Sequence, residues 1–134
     1  MELQVGVKIL LKNPEGKYLI ARRSPHLYRD IAGLWDIIGG RINPGQTLLE
    51  NLRREVKEET ALEIAGEPRL IAAQDILRIP GKHVVRLTYL GATDGTPRLN
   101  EEHSEFRWVS AEELKDFENL DVYLKEIIEK KILP

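Results

Sequence analysis

The chain has no cysteine. That excludes disulfides, thiolate metal sites and a cysteine nucleophile. It has no apolar run near the ~18–20 residues needed to cross a bilayer. Its first residues, Met1-Glu2-Leu3-Gln4-Val5, show neither the basic start nor the apolar stretch of a secretory signal. A cytoplasmic protein with no membrane partner is expected. Neither sign of charge dominates: 20 basic residues face 22 acidic ones, for a net charge of −2. That balance gives no sign of a nucleic-acid-binding surface. What is present is 134 residues, 42% hydrophobic and 31% charged. This is the size and composition of one ordinary folded domain, residues 1–134.

No linker, repeat or low-complexity stretch interrupts the chain. Residues 4–11 (QVGVKILL) are rich in β-branched and aliphatic side chains and read as a buried strand. The turn signal Asn13-Pro14-Glu15-Gly16 follows, and residues 17–22 return as the second strand of a hairpin. A polar loop at 24–33 precedes a short strand at 34–38 that ends in Gly39-Gly40. Two more strand-like runs, 68–77 and 83–92, flank the turn Ile79-Pro80-Gly81-Lys82. A last strand is expected at 105–109, then a capping box at Ser110–Glu113 and a helix over 121–133 with apolar residues at helical spacing. Helices before and after the strands predict an α+β protein, with helices covering both faces of the sheet.

The most informative segment is 40–62. Thr47 and Glu50 form a capping box, which starts a helix over about 48–60. Within it, Arg54-Glu55-Val56-Lys57-Glu58-Glu59 places three carboxylates at three- and four-residue steps. Side chains so spaced are neighbours, and like charges repel. A divalent cation is the simplest relief, since hard cations take oxygen ligands and bridge to phosphates. With Glu55 as zero and about 100° per residue, Glu59 falls at roughly +40°. Leu48, Leu49, Leu52 and Val56 span about +20° to +120° on the same wheel. Glu59 therefore lies inside the apolar arc. A carboxylate facing the core needs a metal or a partner such as Arg54 or Arg22, or it takes up a proton. Both explanations stay open at this point.

The spacing resembles the box of the Nudix hydrolases, G-x5-E-x7-R-E-U-x-E-E-x-G-U, with U aliphatic. Gly40, Arg54, Glu55, Val56, Glu58, Glu59 and Leu62 match in register. Gln46 stands where the pattern has its first glutamate, and Ala61 where it has its second glycine. Ala61 could take the left-handed conformation of such a glycine only at ~1–2 kcal/mol. The helix is therefore expected to end differently or to run on. Outside the box, the hairpin end Ala21-Arg22-Arg23, the segment Gly33-Leu34-Trp35 and the run from Glu101 to Val109 also resemble the family.

The resemblance implies the Nudix fold, a mixed, curved β-sheet between helices in an α/β/α sandwich. It implies Mg²⁺-dependent hydrolysis, with Mn²⁺ as a substitute, of a nucleoside diphosphate linked to another group. A nucleoside triphosphate or nucleotide sugar is the expected substrate. ADP-ribose, a dinucleoside polyphosphate, or a binding domain with weakened catalysis are alternatives. An isopentenyl diphosphate isomerase on the same fold is disfavoured, because such enzymes usually use a cysteine. A homodimer would be in keeping with the family. Carried over by register, the metal ligands are Glu55, Glu58 and Glu59, with the Gly40 carbonyl as a further candidate. Arg54 would orient a carboxylate. The general base is Glu58 from the box, or Glu101, Glu102 or Glu105 from the distal segment. Arg22 or Arg23 would grip phosphate, and His103 would contact substrate or solvent. His26 and His83 are expected at the surface, and Trp35 and Trp108 in the core.

Overall fold

The computed structural model describes residues 1–24 and 34–133. The polar loop read at 24–33, with His26, therefore lies almost wholly outside the described residues. Seven strands form one sheet: β1 (Glu2–Lys12), β2 (Tyr18–Arg23), β3 (Trp35–Asp36), β4 (Ile38–Arg41), β5 (Ala65–Ile76), β6 (Lys82–Ala92) and β7 (His103–Val109). Among the described residues three helices accompany the sheet: α1 (Leu48–Thr60), α2 (Ala111–Lys115) and α3 (Val122–Glu129).

β1 organises the sheet. It pairs in parallel with β6 along its whole length, from Glu2↔Lys82 to Lys12↔Ala92. Its other edge is shared: Lys12 meets Tyr18 of β2, while Gly6 to Ile9 meet β4 in antiparallel register. The sheet thus forks along β1. β2 carries β3 and β7 on one branch. Alternation along β1 serves two cores. Val7, Ile9 and Leu11 join Leu52 and Val56 of α1 on one face. Leu10 joins Leu114 of α2 and Leu124 of α3 on the other. This is the expected α/β/α arrangement. Leu52 and Val56 are fully buried, and each such side chain contributes about 1.5–3 kcal/mol relative to exposure. Trp35 is buried against Phe117, and Trp108 packs at the margin of the α1-side core.

Two local expectations are corrected. The short strand at 34–38 is two strands. Asp36 Oδ1 accepts the Ile37 N–H at 2.7 Å, and the chain changes partner there, from β2 to β1. Gly39 and Gly40 then lie inside β4 rather than after a strand. The C-terminal helix is also shorter than expected: Asp121 is its N-cap, and it stops at Glu129.

The capping box of α1 is present as read, with Glu50 N donating to Thr47 Oγ1 at 3.1 Å. At the other end Ala61 is the C-cap and does take the left-handed conformation, at φ 62°, with its N–H on the Lys57 carbonyl. The closing hydrogen bond and burial of Leu62 and Ile64 just beyond outweigh the strain. Replacing Ala61 by glycine should therefore stabilise the protein by about 1 kcal/mol, after allowing for glycine's greater freedom when unfolded. Urea unfolding checks this through a higher midpoint at unchanged slope.

Candidate active site

Glu59 lies where the helical wheel puts it, on the buried face of α1, with 3% of its surface exposed. Neither arginine proposed as its partner reaches it. Arg54 donates to Gln46, to Asn51 and, at 3.0 and 2.9 Å, to Glu55 and Glu58. Arg22 lies 3.7 Å from Glu105. The Glu59 Oε2 atom is buried with no hydrogen-bond partner. Burial pushes its carboxyl up to about 9; Lys8 opposes this, and Glu55 and Glu102 add to it. In the metal-free protein this carboxyl holds a proton at neutral pH.

β4 brings the backbone against these acids. A Cβ on Gly40 would sit 2.9 Å from the Glu55 carboxylate, and one on Gly39 would collide with the Val7 carbonyl at 1.9 Å. Glycine is required at position 39, where the neighbour is backbone, while a side chain at position 40 would push the Glu55 head group away from β4.

The fork in the sheet opens as a cleft of about 500 Å³. Gly40, Glu55, Glu59, Glu102, His103 and Arg23 line it, so six of the candidate site residues named from the sequence meet in one place. Arg54, Glu58 and Arg22 do not line it. Glu58 is exposed and tied to Arg54, and Arg22 is on the outer side with Glu105. His83 is half-exposed and pairs with Asp75 at 2.7 Å. His103 is buried rather than solvent-facing. Among the described residues no three acid or histidine groups gather closely enough to hold an ion as they stand. The donor set still suits one: a buried unpartnered carboxylate oxygen, a second carboxylate beside it and a backbone that a side chain would obstruct. Mg²⁺ usually takes one or two carboxylates and completes its shell with water and phosphate.

A second set of groups escaped the sequence reading. Asp36 is buried and receives Lys8 at 3.2 Å, Arg23 at 2.6 Å and Arg86 at 3.0 Å. Asp121 receives Arg86 at 3.1 Å and Arg23 at 3.3 Å, and caps α3 through the Tyr123 and Leu124 N–H groups. Burial would raise the Asp36 pKa, but Arg86, Lys8 and Arg23 together hold it well below the usual carboxylate range. Among the described residues that line the cleft, Lys8, Arg23, Arg41, Arg78 and Arg86 are basic and Glu55, Glu59, Glu102 and Asp121 acidic. The available signal was a charge inside an otherwise apolar strand: Lys8 in VKILL, Asp36 in LWDII, Arg86 in VVRLTYL. Such residues are almost never buried unless paired.

The NUDIX domain profile matches residues 2–130. The chain belongs to the Nudix family. A crystal structure of a MutT protein from Methanosarcina mazei superposes with a TM-score of 0.83 at 28% identity, covering 96% of this chain and 92% of that one. The CTP pyrophosphohydrolase of Escherichia coli is 30% identical over 105 residues, 74% of this chain and 70% of its own. A Mycobacterium tuberculosis relative, named provisionally as an 8-oxo-dGTP diphosphatase, is 32% identical over 87 residues. That match spans 65% of this chain and 61% of the relative. No helix among the described residues is long and apolar enough to cross a membrane.

Within this Nudix box the two departures have mild local consequences. Gln46 Oε1 accepts from Arg54 Nε at 3.2 Å, a bond that a glutamate oxygen in the same place would also accept. Gln46→Glu is accordingly expected to change turnover by no more than a few-fold, since it converts a hydrogen bond from a cationic donor into an ion pair in the same place without adding a group to the cleft. Steady-state kinetics at fixed metal concentration test this.

Proposed function

We propose that the protein is a metal-dependent hydrolase that cleaves a nucleoside triphosphate or a similar nucleoside diphosphate derivative by attack of water at phosphorus. One observation carries the reading. Glu59 is a buried carboxyl with an unpartnered oxygen, in a cleft it shares with Glu55, Glu102 and the basic side chains of Lys8, Arg23, Arg41, Arg78 and Arg86. A diphosphate is repelled by carboxylates alone and attracted by carboxylates that hold a divalent ion.

Glu55 and Glu59 would hold Mg²⁺, or Mn²⁺ in its place, with the Gly40 carbonyl alongside. Glu58 would assist from the outer side, where Arg54 holds it. When bound, the ion lowers the pKa of a water and stabilises charge on the phosphoryl oxygens. Arg54 fixes Glu55 and Glu58 by hydrogen bonds, and so fixes the rotamers on which ligation depends. Glu102 lines the same cleft and is the candidate to take the proton from the attacking water. Glu101 and Glu105 are not in it. Arg23, with Lys8 and Arg86, supplies the positive floor on which phosphates sit. The names of the Escherichia coli and Mycobacterium tuberculosis relatives support a nucleoside triphosphate over a nucleotide sugar.

The test is a panel of nucleoside triphosphates, oxidised nucleotides, nucleotide sugars and dinucleoside polyphosphates with Mg²⁺ or Mn²⁺, with products resolved chromatographically. Metal-dependent release of a mononucleotide from one class, lost in Glu58→Gln, supports the reading. Stoichiometric metal binding with no turnover on any compound would sink it and leave a nucleotide-binding domain.

A further inference from the structure

Among the described residues that line the cleft, three carry a buried polar atom with no hydrogen-bond partner: Glu59 at Oε2, His103 at Nδ1 and Arg86 at Nε. Glu59 and His103 are neighbours. His103 Nδ1 is 3.9 Å from the other Glu59 oxygen, Oε1. Hydrogen bonds fall at about 2.7–3.2 Å, so the two groups stand just outside bonding distance. Unpartnered buried groups are few in native proteins, and each needs a cause. Here two lie together.

Their proximity is built by the chain, not left to side-chain chance. The segment before β7 is stitched to the end of α1: Arg98 N donates to the Thr60 carbonyl at 2.7 Å and Asn100 N to the Glu59 carbonyl at 3.3 Å. Asn100 Oδ1 accepts the Glu102 N–H at 3.0 Å. Across the strand, Ser24 N donates to the Glu102 carbonyl at 2.9 Å, and Arg23 pairs with His103 in the ladder. The backbone of Glu59 itself therefore helps set where His103 enters the cleft.

We propose that His103 is a positioning residue for Glu59, whose Nδ1–H donates to the Glu59 carboxylate when a divalent ion occupies the site and fixes which oxygen faces the ion. The proposal rests on the reading of Glu59 as a metal ligand. Ligating carboxylates are themselves commonly held by hydrogen bonds, and losing such a support weakens metal binding about 10- to 100-fold. In the metal-free structure the 3.9 Å separation is too long for a hydrogen bond between the two groups. A carboxylate must be deprotonated to ligate an ion, and it can then accept an N–H as well. A shift of about 1 Å closes the gap to normal hydrogen-bond length.

The experiment uses the full chain and Mn²⁺ alone, with free ion measured by electron paramagnetic resonance. His103→Ala removes the donor, and His103→Asn puts an amide N–H near the place of Nδ1. Folding of each is checked first by circular dichroism. The expected result is Mn²⁺ binding about 10- to 100-fold weaker in His103→Ala and nearly native in His103→Asn. A merely structural histidine gives no such rescue. Equal binding in wild type and His103→Ala, or Asn as weak as Ala, overturns the proposal. Wild type that binds no Mn²⁺ overturns the metal reading with it. A second measurement does not depend on the alanine variant folding. The chain has three histidines, and ring ¹H–¹⁵N spectra of the wild type, assigned with His103→Asn, should show a protected Nδ1–H for His103 on adding Mg²⁺. If Mg²⁺ binds and that signal does not appear, the proposal fails.

Discussion

Glu59→Gln should abolish metal-dependent turnover while leaving the metal-free protein at least as stable as the wild type at neutral pH. Burial raises this carboxyl from 4.5 to about 9, so it is protonated in the folded, metal-free chain at pH 7. Glutamine has the shape and neutrality of that protonated acid, so the apo fold loses nothing. The ion loses a charged oxygen. Weakening transition-state charge stabilisation by about 3–4 kcal/mol lowers the rate by about 10²–10³-fold. Three measurements check it: turnover, the melting temperature without metal, and the upward shift of that temperature on adding Mg²⁺. The variant should hold or raise the second and lose the first and third.

The same residue gives the metal-free protein a pH signature. A carboxyl whose folded pKa exceeds its unfolded value binds its proton more tightly when folded. Its stabilising contribution is complete below about 4.5 and is lost progressively as pH rises towards about 9. The metal-free wild type should therefore lose stability over that interval relative to Glu59→Gln. Saturating Mg²⁺ should remove the difference in slope, because the ion takes the place of the proton. Parallel slopes in the metal-free proteins would contradict the burial of an unpaired carboxyl.

Asp36→Ala should be the most damaging single change outside the core, costing about 3–5 kcal/mol. Asp36 is the common partner of Lys8, Arg23 and Arg86. Removing it takes from Lys8, Arg23 and Arg86 a partner they share in a poorly hydrated place. The side chains of Arg86 and Arg23 are only 4% and 12% exposed, so water cannot replace the lost partner. Asp36 is also a source of acid sensitivity. Its folded pKa lies below its ordinary value of 3.8. Its contribution is therefore present above about that pH and lost as pH falls below it. Asp36→Asn should unfold more readily at neutral pH yet lose less further stability on acidification. Chemical denaturation at neutral and acid pH tests both parts. Loss of under about 1 kcal/mol at neutral pH would show the pair to be worth no more than a surface ion pair.

By itself the sequence determined much of the fold and the heart of the site. Strand and helix alternation is local, because side-chain direction follows backbone period. Hence β1, β2, β6 and α1 could be read closely, and both capping boxes as well. The placing of Glu59 in the apolar arc of α1 was legible for the same reason, since a helix fixes the direction of each side chain from its neighbours in sequence. The spacing from Gly40 to Leu62 joined these local facts to a known chemistry.

Only the tertiary structure decided the rest. The split at Ile37 depends on which strand is the nearer partner, and hydrogen-bonding partners far apart in sequence leave no period. The left-handed Ala61 was judged by intrinsic propensity, but packing beyond the helix overrode a cost of ~1–2 kcal/mol. Lys8, Asp36, Arg86 and Asp121 come from four separate elements, and their charges become a network only because the forked sheet brings them together. Glu59 and His103 are 44 positions apart. Their meeting follows from backbone hydrogen bonds between α1 and the segment before β7, a long-range contact that neither local stretch encodes alone.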